Sequence, residues 1–178
     1  GHIAGKKVLP LEQALDKLRA AVALRNEIDR ERIIIARTDA FSATGRKKDE
    51  CIGGDVIEAV RRGVAYAEAG ADLVWCEFPD AESASAEAFA EKMHKELPGY
   101  PLAINISPSF RDWLTAKRTY SKNDLSRWGY KLPFSTYPSL QADAWVELLT
   151  AEEFKTDFIE GIKNLKRRVA GTQAESIM

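Results

Sequence analysis

The sequence predicts an α/β protein built on parallel strands, and three observations carry that prediction. Short β-branched or apolar runs of strand length recur along the chain, in "RIIIARTDA", "DLVWCE", "PLAINI" and "YKLPFST". Segments with apolar residues at helical spacing alternate with them, as parallel βαβ units require. Each run also closes on a polar residue rather than fading into a hairpin turn. Four such strands suit a small open sheet or the second half of an eight-stranded barrel. A start without an initiator methionine favours the half barrel.

The elements follow in order. Leu11, Leu15, Leu18 and Val22 mark a first helix over 10–29, with Pro10 suited to its first turn. Residues 33–37 form the first strand, and the charged, glycine-bearing segment 46–54 reads as a loop able to move. Val56, Val60, Val64 and Ala67 give a second helix closed at Gly70, a residue that fits a C-terminal cap. "DLVWCE" is the second strand, 83–97 the third helix and "PLAINI" the third strand. A polar helical region is expected over 111–128, then a fourth strand that contains Pro133. Helices over 139–149 and 151–169 finish the chain, the last with Phe154, Phe158, Ile162, Leu165 and Val169 on one stripe. The domain plan is therefore a partial barrel over 1–149 and a C-terminal helix and tail over 150–178.

Composition excludes several classes. The chain has 178 residues, 45% hydrophobic and 30% charged, enough for one sizeable core. Lys plus Arg total 26 against 27 for Asp plus Glu, so there is no basic excess for nucleic acid or an anionic membrane. The compact cluster Lys166, Arg167 and Arg168 ends a helical pattern, where it complements the helix dipole. No apolar run reaches the length of a membrane span. Cys51 and Cys76 are too few for a disulfide framework and point to a reducing, cytoplasmic compartment. No Gly-x-Gly-x-x-Gly or Walker loop follows a strand, so dinucleotide and nucleoside triphosphate sites find no support.

Ligands of parallel α/β proteins bind at the carboxyl ends of the strands, and those ends carry a consistent set. The first strand ends in Arg37-Thr38-Asp39, the second in Glu77 and the third in Asn105, with Ser107 and Ser109 just beyond. The fourth ends in Ser135-Thr136, and Gly1-His2 precede the first helix. Each residue alone has a plain structural reading. Arg37 needs a carboxylate, which a substrate anion, Asp39 or Glu77 could each supply. Glu77 suits an arginine partner, a general base or a metal ligand, and Ser107 and Ser109 suit loop caps around Pro108. Together, one guanidinium and several neutral donors form a rim fitted to a small di- or tricarboxylate.

With "IIARTDA", "NISPSF" and the opening "GH" in one chain, the sequence resembles isocitrate lyase. More broadly it resembles the isocitrate lyase and phosphoenolpyruvate mutase superfamily. The resemblance implies a TIM-type (β/α)8 barrel of which this chain is the second half. It also implies a C-terminal helix exchanged between subunits of a homotetramer. Gly1 and His2 match the last two residues of the family's Lys-Lys-Cys-Gly-His catalytic loop. Arg37 matches the arginine that holds the glyoxylate carboxylate. Glu77 matches a glutamate near the metal and its water shell. Asn105, Ser107, Ser109 and Thr136 match the residues that hold the succinate-side carboxylate.

The implied reaction is Mg2+-assisted retro-aldol cleavage of isocitrate to glyoxylate and succinate, in the glyoxylate cycle. The family's acid cysteine and its metal-binding aspartate fall upstream of Gly1, so the isolated chain is expected to be inactive. One stretch departs from isocitrate lyases: "TYPSLQA" stands where the family has Thr-Leu-Ala-Gly-Phe-His. That departure leans toward the methylisocitrate branch. A further alternative is a non-catalytic half barrel.

Overall fold

Four strands, β1 (Ile35–Thr38), β2 (Leu73–Cys76), β3 (Leu102–Asn105) and β4 (Tyr130–Phe134), form a sheet in the order β1-β2-β3-β4, every neighbouring pair parallel. They belong to a computed structural model that describes residues 5–43, 55–108, 110, 113–136, 138–172 and 174. The expected loop 46–54 lies outside the described residues. α1 (Leu11–Ile28) precedes β1, and between the strands run α2 (Val56–Glu68), α3 (Ser83–Glu96) and α4 (Lys122–Arg127). Then come α5 (Pro138–Thr156) and α6 (Phe158–Val169).

The strand order separates the two sheet architectures left open by the sequence. A doubly wound sheet needs a reversal of strand order, so that helices cover both faces. Here the order never reverses, and successive right-handed crossovers then place α2, α3 and α4 on one face. Burial follows that rule. Ala36, Thr38, Val74, Cys76, Leu102, Ile104 and Tyr130 are buried among the helices. Their strand neighbours Ile35, Arg37, Leu73 and Trp75 point the other way and keep contact with solvent. This is the wall of a barrel seen from inside. The fold is half of a (β/α)8 barrel.

Local chemistry explains the boundaries. Asp55 caps α2 by accepting from the backbone N–H of Ile57 and of Glu58, each at 2.9 Å. Gly70 closes that helix at φ +99°, and an added Cβ there would lie 3.0 Å from Val22 Cγ1, so both backbone and space call for glycine. Arg25 near the end of α1 donates to Asp72 at 2.6 Å, while the same carboxylate accepts from Ile34 N–H at 2.7 Å. One aspartate thereby ties the first helix to the entry of both β1 and β2.

The region 111–128 departs from the expected helix. Among its described residues only Lys122–Arg127 is helical, started by a capping box between Ser121 and Asp124. The preceding backbone is drawn elsewhere: Lys117 N–H donates to the Glu82 carboxylate at 3.0 Å, and Arg118 C=O accepts from Ser83 N–H at 2.8 Å. Those tertiary partners at the start of α3 replace the helical ladder. In β4, Leu102 pairs Tyr130 while Ala103 pairs Leu132, so Lys131 is the extra residue of a bulge. The bulge sets Phe134 opposite Asn105 on the uncovered face. Pro133 follows that bulge and stands opposite Ile104 in the register.

The chain divides into two compact units, 1–136 and 137–178, rather than at 149/150 as the sequence suggested. That earlier boundary falls inside α5, which runs on to Thr156. The helix breaks instead at Asp157, whose carboxylate accepts from Glu160 N–H at 3.0 Å and starts α6. Phe154 therefore sits on α5 rather than on the stripe of α6, meeting Phe158 edge-on at 5.1 Å between ring centres. Gly161 lets the helices approach, because a Cβ there would lie 2.7 Å from Phe154 Cδ2. Much of this hairpin's apolar surface is uncovered, with Leu140, Trp145, Leu148, Phe158 and Ile159 all exposed.

Candidate active site

The carboxyl ends of the four strands bring a polar cluster together. Arg37 ends on the uncovered face of β1, and Glu77 follows β2 immediately. Asn105 is the last residue of β3, and Thr136 follows β4 by two positions. The strand ladder continues past the formal ends, with Glu77 N–H bonding Thr38 C=O at 2.9 Å and Ile106 N–H bonding Phe134 C=O at 2.7 Å. Those bonds hold the first loop residues rigidly above the sheet.

Glu77 is the centre of the cluster and only 1% exposed. Asn105 Nδ2 donates to its Oε1 at 3.3 Å, and Arg37 Nη2 lies 3.5 Å from its Oε2. Thr136 Oγ1 donates to Asn105 Oδ1 at 3.5 Å, so the amide orientation is set from both sides. Asn105 commits one of its two amide hydrogens to Glu77. Ser107 is buried in the loop beyond β3, where its carbonyl accepts from the Trp113 indole N–H at 2.7 Å. Trp113 in turn packs near Phe110 and Tyr120, each at 5.9 Å between ring centres.

Of the carboxylate partners that the sequence left open for Arg37, Asp39 makes the closest contact. Arg37 donates through Nε and Nη2 to the two Asp39 oxygens, each at 3.0 Å. Lys6 Nζ approaches the same carboxylate at 3.3 Å. Burial pushes the Asp39 carboxyl up, but the hydrogen bonds and charge of Arg37, with Lys6, outweigh it and leave the pKa below its usual value. Burial opposes the charge on Arg37, and Asp39 with Glu77 more than restores it, so its pKa is raised. Beneath the guanidinium lies Trp75, with the Arg37 Cζ 4.4 Å from the ring centre. Phe134 braces that indole edge-on at 4.9 Å. A cavity of about 290 Å3 adjoins Arg37 and Asp39 on the α1 side, also lined by Lys7, Lys17, Arg62 and Tyr66.

The structure thus gathers Arg37, Glu77, Asn105 and Thr136 on one rim, with Ser107 in the adjoining loop. Gly1, His2 and Ser109 lie outside the described residues. Sequence reading passed over Trp75, Trp113, Phe134 and Lys6. Trp75 had a signal, since it stands two residues before Glu77 and so shares its side of the strand. Trp113 had none, because its contact with Ser107 depends on the path of the loop. Chemically, the cluster offers an arginine fork, neutral donors and one buried carboxylate: a site able to hold a small carboxylate and move a proton beside it.

Comparison with known proteins agrees with this architecture. The family model described as phosphoenolpyruvate phosphomutase matches residues 2–131. The isocitrate lyase of Haloferax volcanii is 34% identical over 176 residues, covering 99% of this chain and 48% of that protein. The isocitrate lyase of Salmonella typhimurium is 35% identical over 164 residues, covering 80% of this chain and 37% of that protein. The chain therefore spans half or less of the length of these relatives. The crystal structure of 2,3-dimethylmalate lyase, a PEP mutase/isocitrate lyase superfamily member, superposes with a TM-score of 0.63 at 23% identity, covering 83% of this chain and 45% of that one. With the family model matched from residue 2 to residue 131, over the three strands whose ends carry Arg37, Glu77 and Asn105, this chain belongs to the PEP mutase/isocitrate lyase superfamily.

Proposed function

We propose that the protein to which this chain belongs is a carbon–carbon lyase that cleaves isocitrate to glyoxylate and succinate, this chain supplying part of the active site. The observation that carries the reading is the convergence of Arg37, Glu77, Asn105 and Thr136 at the strand ends, in a chain similar to isocitrate lyases. A base takes the proton of the substrate 2-hydroxyl, and the C–C bond breaks as the new carbonyl forms. The electron pair passes to the succinate carbon, where an acid returns a proton. Arg37 holds the glyoxylate carboxylate, and Asn105, Ser107, Ser109 and Thr136 hold the succinate side. Neutral donors suit that task, because they stabilise charge that grows in the transition state without trapping the dianionic product. Gly1 and His2 belong to the loop that carries the acid, and His2 and Glu77 take part in proton movement.

The reaction calls for Mg2+, which when bound polarises the forming carbonyl as a Lewis acid. Among the described residues no group of three or more His, Cys, Asp or Glu side chains could hold a metal. Glu77 offers one hard oxygen donor, which fits a contact through the metal's water shell. The family resemblance puts the main ligands upstream of this chain, and on that reading the chain alone is inactive.

A homotetramer with an exchanged C-terminal helix is part of the same reading. Beside α4 and β4 an apolar cavity of about 460 Å3 is lined by Trp113, Tyr120, Leu125, Tyr130 and Pro133. In α6, Phe158 and Ile162 present an uncovered apolar stripe that a groove of this kind on a neighbouring subunit would bury. Among the described residues no helix is long and apolar enough to cross a membrane. We place the protein in the cytoplasm, in keeping with its few cysteines.

The test is glyoxylate release from isocitrate and Mg2+ by the full protein, expected in the parent and lost in Arg37→Ala and Ser109→Ala. Normal turnover in both variants would sink the assignment. "TYPSLQA" favours a second reading, methylisocitrate lyase or a related member. Comparing rates on the two substrates decides between them.

A further inference from the structure

Arg37 and Trp75 are register partners on neighbouring parallel strands, and both face the uncovered side of the sheet. That pairing places the guanidinium over the indole, with Cζ 4.4 Å from the ring centre. Phe134, from the far strand, meets the indole at right angles and leaves it little room to turn. The indole N–H is buried with no hydrogen-bond partner among the described residues. A donor left unsatisfied is a cost, so what Trp75 contributes here is its ring face. Asp39 completes the restraint from the edge. Its two oxygens engage Nε and Nη2, and Glu77 also approaches Nη2. All of these contacts use Nε and Nη2, and the Nη1 edge takes part in none of them.

We propose that Trp75 is a positioning residue: its ring and the Asp39 carboxylate hold Arg37 in one plane and present the Nη1 edge to a substrate carboxylate. The proposal rests on the lyase reading for the identity of that carboxylate, glyoxylate. The physical basis is preorganisation. A free arginine side chain loses rotamer freedom when it binds an anion, and here the plane and edge are set beforehand. Asp39 is then an orienting partner rather than a competitor, since the substrate meets a different edge of the fork.

The experiment is a double-mutant cycle on the full protein, with glyoxylate binding read by calorimetry and folding of each variant checked by thermal melting. Trp75→Leu is expected to weaken binding roughly 3- to 30-fold, the range of a cation–π contact. Trp75→Phe keeps a ring and recovers most of that loss. In an Arg37→Ala background, Trp75→Leu has no further effect, because the ring acts only through the guanidinium. A Trp75→Leu protein that binds like the parent, or losses that multiply in the double variant, would overturn the proposal. If Trp75→Leu does not fold, Trp75→Met takes its place in the cycle. Isocitrate cleavage is measured alongside. A parent that binds succinate, pyruvate or oxalate but makes no glyoxylate removes the lyase reading, and the cycle is then run with that anion. A parent that binds none of the four removes both.

Discussion

Asn105 Nδ2 lies 3.3 Å from Glu77 Oε1, joining the end of β3 to the residue that follows β2 through one amide–carboxylate hydrogen bond. The carboxylate is almost wholly withdrawn from water, and this bond and the nearby Arg37 contribute to its compensation. Asn105→Ala is expected to destabilise the protein by about 1–3 kcal/mol, because it leaves a buried charged acceptor short of a donor. Asn105→Asp sets a second carboxylate against the first. It should cost more than Asn105→Ala, and urea unfolding of the three proteins checks it.

Asp39 gives a pH dependence whose sign can be worked out. Its folded pKa is depressed, so it contributes stability above its unfolded value of about 3.9, and that contribution is lost as pH falls through the folded pKa. Asp39→Asn removes the charge. The urea midpoint of the variant should lie below the parent's at neutral pH, and the two should converge as the solution is acidified below pH ~4. A gap that stays constant into strong acid would show that Asp39 acts by shape alone.

Trp113 reaches the site through the Ser107 carbonyl, to which its indole N–H donates at 2.7 Å. Trp113→Phe keeps the contacts with Phe110 and Tyr120 and deletes only that donor. The expected cost is about 1 kcal/mol in stability, with looser binding of succinate because the loop carrying Ser107 is less firmly held. Parallel denaturation and succinate titration measure both effects.

Gly129 is the least replaceable glycine described. It sits at φ +79°, and an added Cβ would lie 2.1 Å from His94 Cε1. Gly129→Ala should cost more than the ~1–2 kcal/mol of the left-handed backbone alone. Adding His94→Ala should relieve the steric part and leave the backbone part. Thermal melts of both single variants and the double would show that non-additivity.

The polar strand ends were legible because parallel α/β folds gather chemistry there, so Arg37, Glu77, Asn105 and Thr136 could be named from their places after apolar runs. Element boundaries were less legible wherever a side chain competed with the backbone. Asp157 breaks the last helical pattern by capping α6, a choice that helical periodicity does not record. The expected helix over 111–128 shrinks to Lys122–Arg127 because the N-terminus of α3 claims the backbone groups of Lys117 and Arg118.

By itself the sequence determined the alternation of strands and helices, the parallel class and the polar rim, since each follows from local periodicity and from the residue that closes a run. Only the tertiary structure decided that the strand order never reverses, which makes the sheet half a barrel. Only the tertiary structure set Trp75 under Arg37 and, through the bulge at Lys131, Phe134 beside Trp75. The physical reason is register. A one-residue shift between strands moves every side chain to the other face, and hydrogen bonding between distant segments fixes that shift.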